Sequence, residues 1–395
     1  MSDLQPISPT EFPWFRYEDY SFSLGVTDGS TAWLSGHSAS EYDPSSSHIV
    51  VKGGMGEQAQ TAYAKIAKIL EAAGMDFTDV VRVVENVVGS GVETYSEAVE
   101  VRQSVFKGHA PAVVTVIVDR LLRAQALIEI EVVACRGGGL ESSGGIDSGL
   151  RRERIGEASD GTIYLPTVIP VDAAGNIVAE GDFAGQYRYC LERAAELLGA
   201  VGLTLSNVVK TVDYSTPATR DIYRFSGRPR KELLGPIFPG SAGILMDRMH
   251  SPGVLVSIDV TASRHTLTGV NPGWSRYETL SYSPAVRAGK MLFMSGFAAL
   301  DPVSQEAVHA GDIVAQAEYT YESICTVLEA AGATANDLVK TIEYVCPEGL
   351  AEYRGVASVR KRLLREPWPA STGVVCHSLL RPEFLIEIDP LAVLQ

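Results

Sequence analysis

The sequence predicts an α+β protein made of three tandem copies of one ββαβαββ unit, each a mixed sheet with two helices on one face. Three observations carry this reading. Gln58, Gly74, Tyr95, Arg102 and Pro111 recur as Gln186, Gly202, Tyr223, Arg230 and Pro239, and again as Gln316, Gly332, Tyr353, Arg360 and Pro369. A period this long is that of a small domain, not of a solenoid turn. Within each copy, apolar residues at helical spacing alternate with stretches rich in β-branched residues, the pattern of helices laid on a sheet. Glycine-rich joints at 136–149 and 264–274 separate the copies and place the units at 13–135, 156–263 and 276–395.

In the first copy, residues 20–38 hold two apolar stretches around Asp28, Gly29 and Ser30, which predicts a β-hairpin. Ala59, Ala62, Tyr63, Ile66, Ile69, Leu70 and Ala73 then follow the spacing of one buried helical face, and Gly74 supplies the stop. A strand is expected at 79–88, a second helix at 95–106, a strand at 113–118 after Pro111, and a closing strand at 127–133. In that last strand Ile128, Ile130 and Val132 point one way and Glu129 and Glu131 the other; the third copy repeats this with Ile386 and Ile388 against Glu387 and Asp389. The apolar face belongs under the helices. Parity adds Val113, Thr115 and Ile117 to the carboxylate face, making it too apolar to stand open, so three such faces are expected to meet around a shared axis.

Composition narrows the function. Hydrophobic residues make up 46% of 395, with no apolar run of membrane-spanning length and no basic or apolar start at 1–12, so a cytoplasmic protein without a membrane partner is expected. A net charge of −15 with no basic block repels a phosphate backbone, so nucleic acid is not an expected partner. The five cysteines fall in no CxxC or CxxH spacing and are expected reduced and mostly buried; the seven histidines show no metal-ligand spacing. HExxH, GxSxG and P-loop motifs are missing. No metal and no cofactor is implied, and the expected partner is a small-molecule substrate.

The third copy resembles the Rid (reactive intermediate deaminase, YjgF/UK114) family through Tyr282-Ser283-Pro284, Ser295-Gly296, Gln316, Leu328-Glu329-Ala330-Ala331-Gly332, Pro369-Ala370 and Leu385-Ile386-Glu387-Ile388-Asp389. The first copy is similar through Tyr20-Ser21, Ser35-Gly36, Gln58, Leu70-Glu71-Ala72-Ala73-Gly74, Pro111-Ala112 and Ile128-Glu129-Ile130-Glu131. The second is degenerate: Pro166-Thr167 stands in place of Ser-Gly, and Ser257 in place of the first glutamate. The resemblance implies a chorismate-mutase-like fold and a trimer with ligand clefts between protomers. Here one chain would supply all three, as a pseudo-trimeric monomer or a low-order homo-oligomer of it, and its clefts are free to diverge.

The resemblance also implies hydrolysis of an imine or enamine to a carbonyl and ammonia, served by a cleft carboxylate of raised pKa. That role maps to Glu129 and Glu387. Substrate-binding candidates are Gly36 and Gly296, the cleft tyrosines Tyr20 and Tyr282, His37 (Phe297 and Val168 in the other copies), Arg120 and Ser371. A histidine at a strand end is ordinarily solvated, and parity turns Asp119, Asp247 and His377 toward the clefts and Arg120 and Arg248 away unless the strand bends. The family's carboxylate-binding arginine, two residues after the proline, is replaced by Val113, Ser241 and Ser371, and its second-helix asparagine by Val99, Gly227 and Ala357. Either the substrate lacks that carboxylate, another cation holds it, or deamination is lost. Ring-opening hydrolases of cyanuric acid and barbiturate, which also resemble three such units, use serine–lysine pairs; Lys210 and Lys340 have no evident serine. A non-catalytic metabolite-binding or chaperone-like protein is the third reading. Arg82 with Glu85, Lys210 with Asp213 and Lys340 with Glu343, like the repeated Tyr–Arg pairs, are expected in structural ion pairs between copies or on the surface.

Overall fold

A computed structural model describes residues 4–138, 145–147 and 152–394, so most of the first joint lies outside the described residues. Each copy builds one mixed sheet. In the first, Thr31–Leu34, Ile128–Cys135, Val80–Val88 and Ala112–Val118 are neighbours in that order, the last pair parallel. The second repeats this with Thr162–Tyr164, Val256–Ser263, Val208–Ser215 and Gly240–Leu245, the third with Met291–Met294, Ile386–Val393, Leu338–Val345 and Ala370–Val375. Helices α1 (Met55–Ala72) and α2 (Tyr95–Phe106), α3 (Phe183–Gly199) and α4 (Gly227–Leu233), and α5 (Ile313–Ala330) and α6 (Val356–Leu363) cover one face of each. The ββαβαββ order is present in all three. The first copy adds a hairpin of Ser40–Asp43 and His48–Val51, and part of the second joint is itself a strand, Leu267–Val270, paired with Ala285–Ala288.

The repeated residues now have physical reasons. Gln58, Gln186 and Gln316 are buried and hold the start of the last strand: in the third copy Gln316 Nε2 donates to Glu383 O at 2.8 Å and Oε1 accepts Leu385 N–H at 2.7 Å. Gln58 brackets Gln125 and Leu127 likewise, and Gln186 brackets Gly253 and Leu255. Gly332 ends its helix at φ +77, a conformation that a side chain would strain. The Tyr–Arg pairs close on a buried acid of their own copy, not across copies: Tyr63, Tyr95 and Arg102 on Glu85, and Tyr321, Tyr353 and Arg360 on Glu343.

The copies close into a ring. Arg120–Leu121 of the first extends the third sheet beside Ala370–Val375, and Ser378–Leu379 of the third extends the second beside Gly240–Leu245. Asp247 N–H donates to Asp119 Oδ1 at 2.9 Å, and a His250 ring nitrogen meets Thr115 O at 2.9 Å, tying second to first. Around the axis three ion pairs run in the same sense, Arg82–Asp259, Lys210–Asp389 and Lys340–Glu131, beside a cavity of about 90 Å³. The three cations thus sit in the ion pairs expected between copies, but their acid partner is on the last strand of the next copy and not Glu85, Asp213 or Glu343. Lys340 also donates to Leu34 O and to Thr372 Oγ1, and Lys210 to Met294 O, and among the described residues neither lysine has a serine partner.

One parity assignment is corrected. Val113, Thr115 and Ile117 lie on the helix side, where Thr115 Oγ1 meets the Tyr95 hydroxyl at 3.0 Å. The parallel register sets Val114 opposite Val84, and Val114, Val116 and Val118 form the apolar seam with Tyr214, Ile244, Tyr344 and Val374. The expected meeting of three faces holds, built by the other residues of that strand.

Candidate functional site: two carboxylate clefts at the seams

The Ser-Gly motif is a docking element. Ser35 Oγ donates to Ser23 O at 2.6 Å within its copy and accepts Ser371 N–H at 2.8 Å from the third copy, while Gly36 N–H reaches Ser371 O at 3.3 Å. Ser295 and Gly296 repeat this on Ser283 and Ser241. Beyond each glycine lies a cleft, and the reason for glycine is local. A Cβ at Gly36 would stand 2.5 Å from Glu129 Oε1, and one at Gly296 would overlap Glu387 Oε1.

The cleft between first and third copies, about 500 Å³, brings together Tyr20, Gly36, His37, Arg120, Glu129 and Ser371, every candidate assigned to that seam. Burial, then the Glu131 carboxylate, push the Glu129 carboxyl up to about 8, against the pull of Lys340 and Lys65. His37 is not solvated. It is 3% exposed, with a ring nitrogen 3.4 Å from Leu24 O, and burial together with Lys65 lowers its pKa to about 3, so it is neutral throughout the physiological range. The strand breaks after Val118, which turns Arg120 into the cleft. Asp119, expected there, instead receives the Asp247 amide and interacts with His377.

The cleft between second and third copies, about 420 Å³, holds Tyr282, Gly296 and Glu387 with Ser241 across the seam. Burial and Asp389 raise Glu387 to about 8, opposed by Lys210 and the Gly243 backbone. The third cleft, about 410 Å³ between first and second copies, has Thr167 at the glycine position and Ser257 at the carboxylate position. Thr167 Oγ1 accepts Thr115 N–H at 2.7 Å, filling the docking role in another register.

Three features were missed from sequence. Tyr282 is equivalent to Phe22, not Tyr20, because Ser23 and Ser283 accept from the docking serines; the repeat register before α1 is two residues longer than after it. Both Tyr20 and Phe22 line the cleft. The segments before the hairpins carry aromatic clusters to the cleft mouths: Phe12, Trp14, Phe15 and Tyr17 in the first copy, of which Phe15 lines the cleft, and Trp274 and Tyr277 in the third, which both line theirs. Their shared W-x-R-Y pattern (14–17 and 274–277) was the available signal. Lys65 is buried against Trp14 and Phe15, donates to Ser38 O at 2.7 Å, and is lowered to about 7 by burial against the pull of Glu129; Arg193 and Ser323 occupy its position elsewhere.

Comparison with known proteins agrees with this architecture. A RutC family protein of Pyrococcus horikoshii is 35% identical over 111 residues, 28% of this chain and 85% of that protein. The 3-aminoacrylate deaminase RutC of Acinetobacter baylyi is 32% identical over 111 residues, 28% of this chain and 85% of its own. A chorismatase crystal structure matches with a TM-score of 0.56 over 80% of this chain and 93% of that one, at 16% identity, which shows a shared fold. The endoribonuclease L-PSP profile matches residues 17–136 and 276–394, leaving out the degenerate second copy. With more than half of its length so matched, the chain belongs to the Rid/YjgF family, also described as endoribonuclease L-PSP.

Proposed function

We propose that the protein is a hydrolase of imines or enamines, working in the two seam clefts that carry Glu129 and Glu387. The carrying observation is the pair of buried carboxyls, each raised to about 8 and each lying over a glycine that leaves it room. A carboxyl in that range exists in both forms near neutral pH. Its proton goes to the enamine carbon or imine nitrogen; the carboxylate then takes a proton from water attacking the imine carbon, returns that proton to the carbinolamine nitrogen, and takes up the hydroxyl proton as the C–N bond breaks, so that carbonyl and ammonia leave and the carboxyl is restored. Relatives named deaminases, among them the human 2-iminobutanoate/2-iminopropanoate deaminase, 34% identical over 116 residues, support this class of reaction. The ring-opening alternative loses support because Lys210 and Lys340 are engaged by Asp389 and Glu131.

Ammonia release from imines generated in place by an amino-acid oxidase tests the proposal. Glu129→Gln with Glu387→Gln should reduce the rate at least about a hundredfold, the usual worth of a positioned acid–base group. Equal rates in wild type and double variant would remove the carboxylates from the mechanism. No turnover by either protein, with retained metabolite binding, would leave a binding protein.

A further inference from the structure

In the first and third copies the buried strand acid is a glutamate that takes up its arginine: Arg102 contacts Glu85, and Arg360 Nη1 lies 2.6 Å from Glu343. The second copy has Asp213, one methylene shorter. It still receives the hydroxyls of Tyr187 and Tyr223 at 2.6 and 2.7 Å, but Arg230 Nη1 stands 3.7 Å away, and both Arg230 Nη2 and Asp213 Oδ1 are without a hydrogen-bond partner among the described residues. A buried guanidinium with an unspent donor is costly unless something uses it. Arg230 is 3% exposed and held in place by Ser281 O on Nε and by the Tyr187 hydroxyl and Thr211 Oγ1 on Nη1, which leaves Nη2 uncommitted, and it lines the cleft that contains Glu387. Arg276, from the aromatic segment at the mouth of the same cleft, also has a buried Nε without a partner among the described residues. The equivalent arginine of the first–third cleft, Arg360, gives Nη1 to Glu343 and Nε to Ser21 Oγ.

We propose that the shortened acid at 213 frees Arg230, with Arg276, to bind the anionic group of a ligand in the second–third cleft, replacing the cation missing after Pro239. Trp274, Tyr277 and Phe297 on the same walls fit an apolar or aromatic body, so the ligand class is an apolar carboxylate. Calling that ligand a substrate rests on the hydrolase reading; binding itself does not.

Benzoate against neutral, isosteric benzamide is the probe, followed on the full chain by the part of the tryptophan fluorescence change that Trp274→Phe removes. Wild type should prefer benzoate at least about tenfold, the scale of a hydrogen bond to a charged group. Arg230→Gln should abolish the preference. Since that variant removes a buried charge and can unfold, Asp213→Glu is the deciding one: it restores the acid length of the other copies, reseats the arginine, leaves melting temperature equal or higher, and should lower the benzoate preference several-fold. Equal affinity for both probes in wild type, or an unchanged preference in folded Asp213→Glu, overturns the proposal. A preference that Asp213→Glu removes in a protein that releases no ammonia supports the anion site and counts only against the hydrolase reading.

Discussion

Gly36 and Gly296 show how closely one residue can be fixed by its neighbour's chemistry. Neither needs a positive φ; each is glycine because a carboxylate oxygen fills the space of its Cβ. Gly36→Ala should therefore displace Glu129, cost about 1–3 kcal/mol as overpacking does, and remove first–third cleft turnover; ammonia release in a Glu387→Gln background reads the second effect. The same carboxyls make stability depend on pH. Their folded values of about 8 lie above the ordinary 4.5, so between those pH values the native state holds protons that the unfolded chain releases. Their contribution is full below about pH 4.5 and is lost as pH rises through 8, up to about 5 kcal/mol per carboxyl and less where cleft water screens it. Wild type should melt lower at pH 9 than at pH 6, and Glu129→Gln with Glu387→Gln should flatten that fall. An unchanged slope would mean that these carboxyls ionise as in water.

At the scale of elements, the glutamine on the first helix of each copy couples that helix to the strand bearing the carboxylate. Gln316→Ala strands the Leu385 N–H and Glu383 O, two and four residues before Glu387, and should cost about 2–4 kcal/mol. A melting temperature unchanged by that variant would contradict the role. This element order was legible because helical faces and strand alternation are local patterns, and the Ser-Gly motif and Glu129 and Glu387 were legible through the resemblance. The rest was set by contacts distant in sequence. Parity of strand Ala112–Val118 depends on its register with Val80–Val88, which no single strand encodes. Tyr20 took the place of Phe22 because a two-residue change of repeat length falls in the loops between docking motif and helix. His37 read as solvated because the aromatic segment packed against it lies outside the repeated core. Lys65 was hidden by its own type, since a lysine beside an apolar face ordinarily snorkels to water, and only the aromatic cover over this one prevents it.

At the scale of the molecule, the axis and the clefts are electrically joined. Glu129 and Glu131 sit one residue apart, with Lys340 of the third copy bonded to Glu131 and lowering the pKa of Glu129; Asp389 and Lys210 stand in the same relation to Glu387. Lys340→Met leaves Glu131 buried and unpaired except for the Thr372 hydroxyl, which should cost about 3–5 kcal/mol, whereas Lys340→Met with Glu131→Leu should recover most of it, since an apolar pair avoids the desolvation of two ions. The cycle also reaches function. In a Glu387→Gln background, Lys340→Met alone removes a charge that favours the ionised form of Glu129, so its pKa should move above 8 and the pH at which kcat/KM responds should rise with it. Removing Glu131 as well takes away the opposing carboxylate and should bring that pH back toward or below its starting value. A profile indifferent to both changes would show that the ring fixes only assembly and that each cleft sets the acidity of its own carboxyl.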